Sequence, residues 1–181
     1  MLAGQLYDAS DAELTGMRNR ARALTRAYNA TTEDEPDERQ RLLGELFGRL
    51  GPGGAIEPPF HCDYGTHIFA GARLYMNFGC VVLDVNQVHL GDNVFMGPAV
   101  QLLTATHPLE AAERIRGPEL GHPIRIGHNV WIGGGAIICP GVTIGDDTTI
   151  GAGSVVVRDI PARVLAVGNP CRVVRALGGG A

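Results

Sequence analysis

The chain contains no lysine; all fifteen of its basic residues are arginine. Any anion site it builds must therefore use guanidinium groups, which grip phosphate bidentately rather than as point charges. No apolar run approaches the roughly 20 residues needed to cross a bilayer, and the N-terminus lacks the apolar core of a signal peptide, so a cytoplasmic location is expected. The four cysteines, Cys62, Cys80, Cys139 and Cys171, form no CxxC pair and no metal-ligand spacing; they read as small buried hydrophobes, and no metal is expected. There is no G-x-S-x-G. Without a serine or cysteine nucleophile, chemistry at this chain points to direct transfer between two substrates rather than a covalent intermediate. A net charge of −4 gives no reason to expect nucleic acid or an anionic membrane as partner.

What the sequence does have is a six-residue beat. Ile124, Val130, Ala136, Val142, Thr148, Ser154 and Ile160 fall six apart, and an aliphatic follows two residues behind each of the first six. Gly127, Gly133, Gly145 and Gly151 come next in four of these hexads. The beat also runs through Ile68, Leu74 and Cys80, and through Val88, Val94 and Val100. A fixed short period marks a repeat architecture. Alternation over so short a strand turns both aliphatics to one side, and the glycine behind them is expected to supply the backbone freedom for a corner. Stacked coils then bury one another's Ile and Val, which one coil alone cannot do. The expectation is a parallel β-helix over residues 56–165, with its handedness undetermined by periodicity.

Residues 1–55 follow helical spacing instead. Ser10-Asp11-Ala12-Glu13 reads as a capping box, and Leu14, Met17, Ala21, Leu24 and Tyr28 line one helical face. Pro36 suits the first turn of a second helix, whose apolar face is Leu42, Leu43, Leu46, Phe47 and Leu50 and which Gly51-Pro52-Gly53-Gly54 should stop. Two helices this short need the coil or a neighbouring subunit to pack against.

Function should lie where the repeat fails. Between Val100 and Ile124 the beat vanishes, leaving a segment, 101–123, that carries His107, His122, Glu110, Glu113 and Glu119. A structureless loop of that length inside a compact domain is uncommon and often functional, and a histidine is the natural base near neutral pH. Trp131, the only tryptophan, takes an outward position in its strand, where it is either a subunit contact or a packing surface for a ligand. Arg158, Arg163, Arg172 and Arg175 cluster towards the C-terminal tail, 166–181, and would suit a nucleotide phosphate if they converged.

Several motifs occur together in one order: Ala3-Gly4-Gln5-Leu6-Tyr7, Cys62-Asp63-Tyr64-Gly65, Met76-Asn77-Phe78, Leu83-Asp84, Thr104-Ala105-Thr106-His107-Pro108, Asn129-Val130-Trp131-Ile132-Gly133 and Gly168-Asn169-Pro170-Cys171-Arg172. On these the chain resembles the hexapeptide-repeat acyltransferases of the maltose and galactoside O-acetyltransferase type, over nearly its whole length. The resemblance implies a left-handed parallel β-helix, a homotrimer, and acetyl-CoA held between adjacent subunits. It implies that His107 is the general base towards a sugar hydroxyl. Asp8, Asp63, Asn77, Asp84 and Glu119 match the acceptor side, with Asp63 favouring the maltose-like branch. Trp131, Gly134, Ala152, Arg158, Arg172 and Arg175 match the coenzyme side.

Three other readings fit parts of the sequence. An acetyltransferase for a non-sugar alcohol or xenobiotic uses the same residues. A zinc enzyme similar to the γ-type carbonic anhydrases needs three converging histidines, and the pairs His61/His67 and His122/His128 do not meet that family's spacing. A non-catalytic scaffold predicts an unbroken coil, which the His107 segment contradicts.

Overall fold

The computed structural model describes residues 1–178. From Arg49 onward the backbone winds as a parallel β-helix whose short strands stack into three flat faces. The first face holds Arg49–Leu50, Ile68–Ala70, Val88–Leu90, Ile124–Ile126 and Thr143–Ile144. The second holds Ala55–Ile56, Tyr75–Met76, Phe95–Met96, Trp131–Ile132, Thr149–Ile150 and Val164–Val167, and is closed by antiparallel Arg172–Ala176. The third holds His61–Cys62, Val81–Leu83, Gln101–Leu103, Ile137–Ile138 and Val155–Val156. Three hexads make one turn, so Arg125 pairs with Thr143, Trp131 with Thr149 and Ile137 with Val155.

The interior is the aliphatic stack that the beat requires: Ile124, Val130, Ile132, Ala136, Ile138, Ile150 and Val156 are fully buried. Two hexad positions place hydroxyls there instead. Thr148 donates to the Pro161 carbonyl (2.9 Å), and Ser154 donates to Gly151 (2.6 Å) while accepting from the Gly168 amide, so neither is left unpaired in the core.

The phased glycines do a different job from the one expected of them. Gly127, Gly133, Gly145 and Gly151 do not adopt positive φ. Each instead lies against the next turn of the coil: a Cβ on Gly133 would sit 2.5 Å from the Ala152 amide nitrogen, and one on Gly145 would sit 2.4 Å from that of Ala162. The left-handed backbone falls two residues later, at Asn129, Gly135, Asp147 and Gly153. Asn and Asp tolerate that region better than other side-chain-bearing residues.

The N-terminal helices, Ala12–Asn29 and Pro36–Leu46, cover the open mouth of the coil. Asp11, not Ser10, caps the first; its carboxylate accepts from the Glu13 and Leu14 amides at 2.9 and 3.2 Å. The second ends at Leu46, earlier than the glycines at 51–54, because Phe47 turns extended and Arg49–Leu50 already pairs with Phe69–Ala70 as the first rung. The buried Tyr28 hydroxyl donates to the Ile56 carbonyl, and Asn29 exchanges two 2.9 Å bonds with the Phe60 backbone, which locks helix to coil.

The break in the beat is shorter and more ordered than 101–123. Gln101–Leu103 is an ordinary rung, and Thr104 is buried, accepting from the Asn86 amide. The excursion proper begins at Ala105–Thr106, which pairs antiparallel with Leu120–Gly121 around a helical turn, Ala111–Arg114. His89 and Arg125 remain strand partners across its base, so the coil continues as though nothing had been inserted.

Candidate active site

His107 follows directly on the outgoing strand of this hairpin and is exposed. Its Nδ1 lies 3.3 Å from the Pro118 carbonyl oxygen on the returning arm. A carbonyl can only accept, so this contact places the proton of the neutral ring on Nδ1 and leaves Nε2 with the free lone pair. The imidazole opens into a cavity of about 380 Å³ lined by Tyr7, Ala9, Arg18, Arg22, Asp63, Tyr64, Val85 and Glu119, among others.

The walls of this cavity come from three places. The coil supplies Asp63 and Tyr64 after one third-face strand, and Leu83 and Val85 at the next. The first helix supplies Arg18 and Arg22, four residues apart on one side. Arg18 is committed to the Tyr64 hydroxyl (2.8 Å) and the Ala9 carbonyl (2.5 Å). The Arg22 guanidinium has no hydrogen-bond partner among the described residues, and the residue is exposed. The N-terminal segment supplies Tyr7, whose hydroxyl donates to Glu119 Oε2 at 2.6 Å.

Charge is unevenly tolerated here. Burial, reinforced by the carboxylates of Asp84 and Glu119, pushes the Asp63 carboxyl up to about 6, against the pull of Arg18 and Arg22. Near neutrality Asp63 can therefore meet a ligand hydroxyl either as acceptor or, part of the time, as donor. Asp84 is wholly buried. Its carboxylate accepts from the Asp63, Tyr64 and His67 amides (3.0, 2.9 and 3.3 Å), and burial raises its carboxyl despite those bonds.

A second feature lies on another face of the coil. Tyr75, Phe95 and Trp131 are strand partners in succession on the second face, one rung apart, and Trp131 is 57% exposed. With Asn77, Met96 and Gly97 they line a groove of about 360 Å³. The corner beyond Trp131 stacks Gly97, Gly134 and Ala152, and neither the Gly134 nor the Ala152 amide donates to a protein acceptor among the described residues. Arg172 and Arg175 lie on the strand that closes this face, exposed to solvent. Arg158, also exposed, sits at the corner after the third face.

The sequence matches known families at both ends. Residues 1–51 match the maltose acetyltransferase hexapeptide capping motif, and residues 123–158 match the bacterial transferase hexapeptide (six repeats). Nodulation protein L of Rhizobium meliloti (strain 1021) is 52% identical over 173 residues, which cover 96% of this chain and 94% of that protein. The chain belongs to the maltose and galactoside O-acetyltransferase family. The crystal structure of a maltose O-acetyltransferase from Clostridium difficile 630 is 48% identical and superposes with a TM-score of 0.97, covering 98% of this chain and 95% of that one. A galactoside acetyltransferase solved in complex with coenzyme A is 40% identical, with a TM-score of 0.95 over 97% of this chain and 88% of that one. The zinc reading gives way to this assignment; among the described residues no three His, Cys, Asp or Glu side chains gather as a metal site would need.

In this acetyltransferase the residues expected to act together divide into groups. His107, Asp63 and Glu119 share one cavity. Asp8 does not line it: its carboxyl, held low by the hydroxyl and amide of Ser10, faces a neighbouring cavity of about 810 Å³, while Ala9 lines the His107 side. Asp84 is likewise turned into the core and its neighbour Val85 lines the wall, so Asp84 shapes the 63–67 backbone rather than touching a ligand in this cavity. Asn77 lies in the Trp131 groove, away from His107. Sequence reasoning missed Tyr7, Arg18 and Arg22 as wall residues. The i, i+4 spacing of the two arginines on the first helix was the available signal.

Proposed function

We propose that this acetyltransferase moves the acetyl group of acetyl-CoA onto a hydroxyl of a sugar of the maltose, glucose or galactoside kind, with His107 as general base and no acyl-enzyme. The observation that carries the reading is the His107 ring, tied through Nδ1 to a backbone carbonyl beside carboxyl groups suited to hydroxyls. The acceptor proton passes to Nε2 as the oxygen attacks the thioester carbonyl. The new C–O ester bond forms, the C–S bond breaks, and His107 returns the proton to the departing sulfur. A base so placed contributes typically ~10²–10⁴-fold.

Asp63 and Glu119 are the acceptor's partners in this scheme. Trp131, the free amides at Gly134 and Ala152, and Arg158, Arg172 and Arg175 form the coenzyme's side. The two features lie on different parts of one protomer, and Asn77 accompanies the coenzyme groove rather than the histidine. A homotrimer in which the His107 cavity of one copy meets the Trp131 groove of the next unites them, and it gives Asn77 a place at the acceptor.

The test is thiol release from acetyl-CoA by the purified protein across glucosides, maltose, galactosides and simple alcohols. Turnover with the sugars supports the reading; turnover with non-sugar alcohols alone replaces the acceptor class, and no turnover with any acceptor overturns it. Sedimentation equilibrium at the trimer mass supports the shared cleft, and a monomer that is active at nanomolar concentration overturns it.

A further inference from the structure

The N-terminal segment is more than a cover for the coil. Residues Tyr7 and Glu119 form an isolated antiparallel bridge: the Tyr7 amide donates to the Glu119 carbonyl (2.9 Å), and the Glu119 amide donates to the Tyr7 carbonyl (3.0 Å). The Tyr7 hydroxyl adds a third bond, to Glu119 Oε2 at 2.6 Å. The Asn86 side chain fastens the same two segments from below, its amide donating to the Leu2 carbonyl (3.3 Å) and the Gly121 carbonyl (2.9 Å).

The geometry of one peptide unit links this clasp to the histidine. The Glu119 amide that reaches Tyr7 and the Pro118 carbonyl that faces His107 Nδ1 belong to the same peptide plane. In a trans peptide the N–H and C=O point in opposite directions. Holding the N–H on the Tyr7 backbone therefore aims the C=O away from Tyr7, towards the imidazole. Rotation of that plane would remove the acceptor that selects the Nδ1–H tautomer, and with it the free lone pair at Nε2. Glu119 Oε1, meanwhile, has no partner among the described residues, so the Tyr7 hydroxyl fixes one carboxylate oxygen and leaves the other for a ligand.

We infer that Tyr7 is a positioning residue for the transfer reaction: through the clasp on Glu119 it holds the Pro118–Glu119 peptide that sets the tautomer and orientation of His107. This rests on His107 as the base. Burial, together with the Glu119 carboxylate, raises the Tyr7 phenol above its ordinary range, so it keeps its proton and remains a donor throughout the working pH range.

Tyr7→Phe removes the hydroxyl and keeps the backbone bridge; Tyr7→Ala weakens both by removing the ring that packs the bridge. The two are compared with His107→Ala for kcat, for KM towards acetyl-CoA, and, in ¹⁵N-labelled protein, for the ring-nitrogen signals that report the His107 tautomer. The expected result is a fall in kcat of about five- to tenfold for Tyr7→Phe, larger for Tyr7→Ala, with KM for acetyl-CoA within twofold. The His107 signals should move from a single Nδ1–H form towards a mixture. Unchanged kcat and unchanged His107 signals in both variants, with His107→Ala inactive, overturn the inference and leave the general base intact. An active His107→Ala overturns the base itself, and the tautomer signals then still report whether the clasp orients the ring. A variant that loses activity and melts early while its His107 signals stay single is a stability effect, and it also overturns the positioning role.

Discussion

The coil from Ile124 to Val156 and the excursion from Ala105 to Pro123 use the chain in opposite ways. In the coil each rung repeats the one below, the strands pair in register, and the side chains between them are buried aliphatics except for the hydrogen-bonded Thr148 and Ser154. The excursion has no buried large hydrophobe; Leu109 is 90% exposed and Ile115 nearly as much, and its shape rests on one short hairpin and a clasp to the N-terminus. Close packing is thus concentrated in the coil. The excursion is tied to the rest of the molecule through hydrogen bonds at Thr104, Gly121 and Glu119. In the proposed mechanism the base therefore sits on a loop that a rigid scaffold positions.

The sharpest way to break the comparison is to strike the excursion and leave the coil alone. His107→Ala should cost ~10²–10⁴-fold in kcat, and the melting temperature should not move, since the side chain is exposed and bonded only to Pro118. Thiol-release kinetics alongside a thermal melt checks both halves. The reverse blow is Gly133→Ala. Its Cβ would stand 2.5 Å from the Ala152 backbone nitrogen, which a stacked coil cannot yield, and a loss of about 2–4 kcal/mol is expected in urea unfolding. A substitution that left stability unchanged would show that the turns are less tightly stacked than these contacts require.

Asp63 sits on the boundary between the two regions and sharpens the contrast through pH. Burial pushes its folded carboxyl up to about 6, above the ordinary aspartate value. Between those two values the folded protein holds a proton that the unfolded chain gives up, so stability falls as pH rises through this window and stays lower above it. Asp63→Asn should therefore stabilise the protein at pH 7, by about 1–2 kcal/mol after allowing for solvent screening, and should flatten the slope between about pH 4 and 6. Unfolding titrations at several pH values test the sign. The smallest effect is expected from Leu109→Ser at the tip of the excursion: within about 0.5 kcal/mol in stability, measured by the same unfolding experiment, because the residue touches almost nothing.

Much of this division is legible in the linear chain. The aliphatic beat locates the coil because burial demands one side-chain type at one spacing, and the interruption locates His107 because a loop is free of that demand. The register of the helices follows too, although the cap is Asp11 rather than Ser10; both can accept from the first-turn amides, and only the backbone angles choose between them. The glycines show where local reasoning stops. Their phase is plain in the sequence, but the cause is a neighbour one full turn of the coil away, such as Ala152 against Gly133, that a hexad cannot reveal.

By itself, then, the sequence determined the repeat, its faces, its interruption and, through its motifs, its family, since each depends on residues near one another in the chain. The tertiary structure alone decided which side of each strand end a carboxylate takes. Ala9 and Val85 line the cavity while Asp8 and Asp84 turn elsewhere, because a one-residue shift along an extended chain reverses the side-chain direction. It also decided that Tyr7 meets Glu119, a contact across more than a hundred residues that exists only once the coil has been wound and its mouth closed.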